Sequence, residues 1–172
     1  MRANRSALAV APVAWVVVAA AFAADTLLLT GRVVATADGD TLTVQEGEVK
    51  TTIRLAEIDA PERTQPYSQV SRRNLEALCR NAKVVEIAPV DTDRYGRTVS
   101  HVRCDGVNVN WRQVEDGMAW CFTRYLKQPD VCLRIERAAR EAKKGLWREP
   151  NPQSPWTFRA EGRKAGSGSP DK

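Results

Sequence analysis

A chain of 172 residues suits one domain with a real core plus a tail, and leaves little room for a second domain of ordinary size. Its 26 Lys and Arg stand against 21 Asp and Glu, a net charge of +5. Basicity this moderate reads as solubility and does not by itself identify a polyanionic partner.

At the N-terminus, Arg2 and Arg5 precede a nearly uncharged apolar run from Ala7 to Ala24 that closes on Ala21-Phe22-Ala23-Ala24. Positive flank, apolar run and Ala-x-Ala end are the layout of a secretory signal peptide, so residues 1–23 are expected to be removed and the protein exported, periplasmic or extracellular. Left uncut, the run is long enough to anchor the chain in a bilayer. No second hydrophobic span follows it in the sequence.

Leu27 to Ala37 and Thr41 to Gln45 are rich in Val, Thr and Leu, and Asp38-Gly39 between them is a turn signal, so two strands are predicted. A third is predicted from Thr51 to Ile58, after the polar Glu46-Gly47-Glu48 turn. The period then changes: Leu75, Leu78 and Cys79 fall on one face of a helix over Tyr67–Arg80, with Asn81 as its stop. Strand character returns at Lys83–Ala88 and at Thr98–Arg103, and Asp105-Gly106 marks the following turn.

Helical spacing predicts Val109–Asp116 and Asp130–Lys144, the latter with Asp130 as N-cap, Ile135, Ala138, Ala139 and Ala142 on one stripe, and Lys143-Lys144-Gly145 as its end. From Arg148 onward Pro, Gly, Ser and charge dominate, so residues 149–172 read as a tail, disordered past about Arg159. Five strands interleaved with three helices, no internal repeat and no second linker predict a single α+β domain over residues 27–148.

Cys79, Cys104, Cys121 and Cys132 all follow the leader, and an even count in an exported chain implies two disulfides, for which three pairings are possible. None of the spacings is C-x-x-C and the single histidine is His101, which argues against a zinc cluster.

The residues that carry chemistry are acids and arginines at the strand ends. Asp38-Gly39-Asp40 enters the second strand, Arg54 lies in the third, Asp59-Ala60-Pro61-Glu62 follows it, and Asp93-Arg94-Tyr95-Gly96-Arg97 enters the fifth. Taken singly each has an ordinary explanation: a turn, a cap, a solvent-face strand residue, a surface charge. Together they are what cleavage of a phosphodiester requires. Two carboxylates, Asp40 and Asp59, with a main-chain carbonyl begin an oxygen shell for Ca²⁺ or Mg²⁺. Arg54 and Arg97 can fork onto phosphate oxygens and stabilise the charge that builds there in the transition state. Glu62 is placed to orient or deprotonate the attacking water.

With these blocks in place the sequence resembles the thermonuclease (staphylococcal-nuclease-like) family from about Gly31 to Trp147. The resemblance rests on Asp-Gly-Asp-Thr at Asp38–Thr41, Arg54-Leu55, Ile58–Glu62, Asp93–Arg97, Gly117-Met118-Ala119-Trp120 and Ala142–Trp147, and on the intervals between them. It implies a five-stranded OB-fold β-barrel with three packed helices, and a Ca²⁺-dependent phosphodiesterase that acts on DNA and RNA and leaves 3′-phosphorylated products. It also implies that Asp40, Asp59 and the carbonyl of Ala60 bind calcium, that Arg54 and Arg97 clamp the phosphate, and that Glu62 handles the water. Cys79 with Cys104 follows from the same overlay, and Cys121 with Cys132 closes a short loop. A monomer with no stable protein partner is expected.

Two departures from the family pattern stand out. Its best-known member has threonine where this chain has Ala60, a change that a carbonyl ligand survives. Of two tyrosines that hold the nucleotide, one is matched by Tyr125 while Thr123 takes the place of the other. Tyr95 matches its motif and is expected either to contact a phosphate or to pack under the loop. His101, Trp111, Trp120 and Trp147 read as structural residues. Arg72-Arg73 and Lys143-Lys144 read as solvated helix faces that can also meet distant phosphates. The rival reading is a binding module, since OB-folds bind single strands without chemistry; against it, Asp40, Asp59 and Glu62 repel phosphate unless a cation sits among them.

Overall fold

The computed structural model describes residues 29–127 and 129–166; the expected leader lies outside them. Within the described part, strand β1 (Leu29–Thr30) leads to β2 (Arg32–Thr36), β3 (Thr41–Glu46), β4 (Val49–Leu55) and β5 (Ile58–Asp59). Helix α1 (Ser68–Cys79) is followed by β6 (Val85–Thr92), β7 (Thr98–Cys104), β8 (Val107–Asn108), helix α2 (Val109–Glu115) and β9 (Trp120–Cys121). Helices α3 (Pro129–Glu141) and α4 (Pro155–Gly166) complete the chain, with 3₁₀ turns at Thr123–Tyr125 and Gly145–Arg148.

Hydrogen bonds order the main sheet β1-β6-β7-β4-β3-β2, with β8 on β7, while β5 pairs with β9 separately. Its one parallel contact is between β4 and β7, in the register Ile53↔Thr98, Arg54↔Val99 and Leu55↔Ser100. At the two ends of this path, β1 and β2 are successive pieces of a single chain segment divided at Gly31, whose N–H donates to Val85 O at 3.3 Å.

The mixed α+β class is as predicted, but the counts are not. Among the described residues there are nine strand segments and four α-helices in place of five strands and three helices, and hydrogen bonds order the main ladder as an open path. One reason is visible at the strand predicted over Thr51–Ile58. It stops at Leu55 because Glu57 takes a left-handed φ of 66°, which turns Ile58-Asp59 off the main sheet and onto β9.

Alternation decides which side of the strands meets the core. Leu42 and Val44 of β3, Ile53 and Leu55 of β4 and Val102 of β7 are buried with Leu75 of α1 and Val109 and Val114 of α2. Each such side chain contributes about 1.5–3 kcal/mol by leaving water. Arg54, between Ile53 and Leu55, therefore projects from the opposite face.

On α3 the buried residues are Cys132, Glu136 and Ala139. Ala138 and Ala142 of the predicted stripe are exposed and Ile135 is half-buried. The helix is rotated from the expected face because Cys132 is tied to Cys121 and Glu136 accepts the Cys121 N–H at 2.8 Å. Neither its start nor its end is as predicted: Asp130 lies inside the first turn, and the helix stops at Glu141, before Lys143 adopts a φ of 48°. Both expected disulfides are present: Cys79–Cys104 joins the end of α1 to the end of β7 with Cα atoms 5.4 Å apart, and Cys121–Cys132 joins β9 to α3 at 5.9 Å.

The reading of residues 149–172 as a tail disordered past Arg159 is corrected by α4 over Pro155–Gly166; residues 167–172 lie outside the described residues. Its sequence signal was Ser154-Pro155: serine just before the helix and proline at its first position are a helix start. The helix is held by Trp156, which stacks on Phe122 with ring centroids 5.6 Å apart and planes 8° apart. Trp156 also packs against a second buried cluster of Trp120, Ala139, Leu146 and Trp147. No helix among the described residues is long and apolar enough to cross a membrane.

Candidate active site

Strand register assembles the first half of the site. Thr41 of β3 is the partner of Arg54 on β4, and Leu55 N–H donates to the Asp40 carbonyl at 2.8 Å, so Asp40 and Arg54 become neighbours across the end of the hairpin. The Glu57 turn then brings β5 back. Arg54 Nη1 lies 3.1 Å from Asp40 Oδ2 and donates to the carbonyls of Leu55 and Ile58 at 3.0 Å, while Nη2 donates to Asp59 Oδ1 at 2.9 Å. One guanidinium therefore holds both buried carboxylates and fixes the turn between them. Ala60 N–H adds a 2.6 Å bond to Asp40 Oδ2.

The loop carrying Asp40 is anchored from behind. A Cβ at Gly39 would overlap Ser71 Oγ and lie 2.8 Å from Ala60 Cβ, so only glycine lets this loop approach α1 and the Asp59-Ala60 segment so closely. Gln113 of α2, fully buried, donates Nε2 to the carbonyls of Gly39 and Ser71 and accepts from Asn74 Nδ2 at 2.7 Å. Ser71 Oγ in turn donates to Met118 O at 2.7 Å.

Glu62 is half-buried and bracketed by Gln65, whose Oε1 accepts the Glu62 N–H at 3.1 Å and whose own N–H donates to Glu62 O at 2.8 Å. Its carboxylate joins the cluster through a residue absent from the sequence reading, Arg159 of α4. Arg159 Nη2 donates to Asp59 Oδ2 at 2.8 Å and Nη1 to Asp59 Oδ1 at 3.3 Å, and Nη1 also donates to Glu62 Oε1. Asp40, Arg54, Asp59, Ala60, Glu62 and Arg159 thus form one contiguous polar cluster.

Arg97 stands apart from it. Its Nε donates to Asp93 Oδ2 at 2.7 Å and its N–H to Asp93 Oδ1 at 3.0 Å, within the turn between β6 and β7. It lies two residues before Val99, the parallel partner of Arg54, so the sheet delivers it to the same end of β4. Tyr95, 68% exposed, accepts from Arg94 Nη2 at 2.6 Å. Tyr125, 57% exposed, stands edge-on to Phe122 with centroids 4.9 Å apart. Neither tyrosine touches the acids. His101 Nε2 lies 3.6 Å from Glu57 Oε1 and its ring is 5.6 Å from that of Trp111, away from the cluster. Trp120 and Trp147 are buried and in edge contact at 5.3 Å.

Burial pushes the Asp40 carboxyl up to about 7; Asp38 and Asp59 push the same way, and Arg54 and the Ala60 N–H oppose them. A carboxyl whose folded pKa is raised binds more protons folded than unfolded between about pH 4, its unfolded value, and pH 7, so stability falls as pH rises through that window. Asp40→Asn, which cannot ionise, is therefore expected to gain melting temperature relative to the parent as pH goes from 4.5 to 7.5 in chelator. A difference between the two that stays flat with pH would show that Asp40 is not held in this way.

As donors, Asp40 and Asp59 offer carboxylate oxygens and Ala60 a carbonyl. Among the described residues no three His, Cys, Asp or Glu side chains are grouped to share a metal ion, and all four cysteines are in disulfides. The set is made of oxygen, which suits a hard cation and not zinc.

A model of the family described as Staphylococcal nuclease homologue matches residues 52–149. An uncharacterized endonuclease of Escherichia coli is 39% identical over 130 residues, covering 75% of this chain and 84% of that protein. Another endonuclease of that description, from Haemophilus influenzae, is 40% identical over 131 residues, covering 76% and 72%. A micrococcal nuclease of Shigella flexneri is 36% identical over 139 residues, covering 75% and 79%.

Proposed function

Since this chain belongs to the Staphylococcal nuclease homologue family and is thus a nuclease that hydrolyses phosphodiester bonds, we propose that it uses calcium to cleave DNA and RNA and leaves 3′-phosphorylated products. The observation that carries this reading is the meeting of two buried carboxylates, Asp40 and Asp59, around the single guanidinium of Arg54. Such a pair gains from a cation brought in with the substrate, and a module that only bound nucleic acid would gain nothing from aiming acids at phosphate.

Asp40, Asp59 and the Ala60 carbonyl would hold the ion. Bound there, calcium supplies positive charge against which a phosphate can settle. Arg54 is fixed by four acceptors, so its positive charge is held in place for an incoming phosphate, which is where electrostatic stabilisation is most effective. Arg97, at the same end of the sheet, leaves Asp93 to close on the phosphate from the other side. Glu62 accepts a proton as water attacks phosphorus; the bond to the 5′ oxygen breaks, that oxygen takes a proton from solvent water as it leaves, and the phosphate stays on the 3′ oxygen. Tyr125 and Tyr95, both exposed, offer faces for a base or a phosphate.

The break at Gly31 between β1 and β2, two pieces of one segment paired to opposite neighbours, supports an OB-type barrel. Two disulfides support an oxidising destination and hence export; the enzyme then works as a monomer on nucleic acid outside the cytoplasm. The test is digestion of single-stranded DNA and of RNA with calcium, followed by end-group analysis. Cleavage that stops in chelator and leaves 3′-phosphates is expected; undiminished cleavage in chelator, or 5′-phosphate ends, would overturn the proposal.

A further inference from the structure

α4 crosses the site with one face. Trp156 and Arg159, three residues apart, lie on the same side of a helix; the first stacks on Phe122 and the second reaches Asp59 and Glu62. The Asp59 carboxylate is consequently closed on both oxygens: Oδ1 accepts from Arg54 and Arg159, and Oδ2 from Arg159. A divalent ion that ligated Asp59 would have to lie directly against the Arg159 guanidinium, and like charges at that spacing repel strongly where water is scarce.

We propose that Arg159 is a cation-displaced residue of the active site. In the calcium-free enzyme it takes the place of the ion on Asp59 and holds Glu62, and α4 is a strap that opens when calcium binds. The inference rests on the proposed role of Asp59 as a calcium ligand. Its physical basis is competition. Arg54 is held inside the β3-β4-β5 unit by backbone carbonyls and cannot leave, whereas Arg159 reaches the acids through its side chain alone, from a helix whose other hold is the packing of Trp156. Arg159 is 35% exposed at the side chain while Asp59 is only 4% exposed, so its fork can turn to water, but Asp59 releases it only as the ion takes its place. The apparent calcium affinity is then the intrinsic affinity reduced by the fraction of molecules with the strap open.

The test is calcium titration of the purified protein by calorimetry, with amide hydrogen exchange of α4 measured alongside. Arg159→Gln is expected to bind calcium about tenfold more tightly than the parent, as it would if the strap is closed about nine-tenths of the time. Arg159→Lys, which keeps the charge but not the fork, is expected to fall between the two. In the parent, calcium is expected to speed exchange in residues 155–164. Equal or weaker calcium binding by Arg159→Gln overturns the inference, as do α4 amides in the parent that calcium leaves unchanged or protects further. The last measurement needs no variant to fold. Failure of the underlying assignment looks different: a parent and an Asp59→Asn variant that bind calcium alike would remove Asp59 from the ion site altogether.

Discussion

Arg54→Ala is expected to lower the rate of the chemical step by about 10²- to 10³-fold at saturating calcium, the usual cost of deleting one preorganised donor aimed at developing charge. The loss should appear in single-turnover cleavage of a short oligonucleotide, since Arg54 acts on the phosphorus oxygens and not on product release. Arg54→Lys should recover little of it. An ammonium has the charge but cannot reach Asp40, Asp59 and the carbonyls of Leu55 and Ile58 from one planar head. Arg54→Ala within threefold of the parent would mean that the guanidinium only stitches the turn.

The second large effect concerns stability. Asn110 of α2 is fully buried; its Oδ1 accepts the Val102 N–H at 3.0 Å, and its Nδ2 donates to the carbonyls of Ala56 at 3.0 Å and Ser100 at 3.1 Å. This one amide joins α2 to β7 and to the turn that swings β5 toward Asp40. Asn110→Ala takes this partner from the Val102 N–H and the Ala56 carbonyl inside the core, at about 1–3 kcal/mol each, while the Ser100 carbonyl keeps the Ala56 N–H, so a loss on the order of 2–5 kcal/mol is expected. That is a large part of what a domain of this size has in reserve. Urea unfolding measures it, with Asn110→Asp as a companion that keeps the shape and loses the two donated bonds. A loss below about 1 kcal/mol would show that water or a shift of the turn replaces the amide.

Much of the candidate cluster was legible in the sequence because it is local. Asp40, Arg54, Asp59, Ala60 and Glu62 sit at the ends of consecutive strands, and the pairing of Thr41 with Arg54 follows from the turn between them. The residues that orient this cluster were not legible. Gln113 and Asn110 read as the polar side of a short helix, and only the fold shows that they bridge distant backbone carbonyls. Arg159 was missed for a different reason. Pro, Gly and Ser around α4 give a disorder signal, which outweighed the two-residue helix start at Ser154-Pro155. The stripe on α3 does not coincide with its buried face because the disulfide to Cys121 and the buried Glu136, which a hydrophobic pattern does not register, decide which way the helix faces. Arg97, predicted as a phosphate clamp, pairs with Asp93 in its own turn, which the sequence does not reveal because a turn that caps itself looks the same as one that points at a ligand.

The order in which these pieces occur along the chain also bears on how the molecule assembles. The acids and Arg54 belong to contiguous hairpins, whose contacts close quickly because little loop entropy is lost. The parallel alignment of β4 with β7 has to wait for the whole of α1 and β6, and the reach of Arg159 to Asp59 spans 100 residues. During synthesis the Asp40 and Asp59 carboxylates therefore come together around Arg54 before Arg159 exists to reach them.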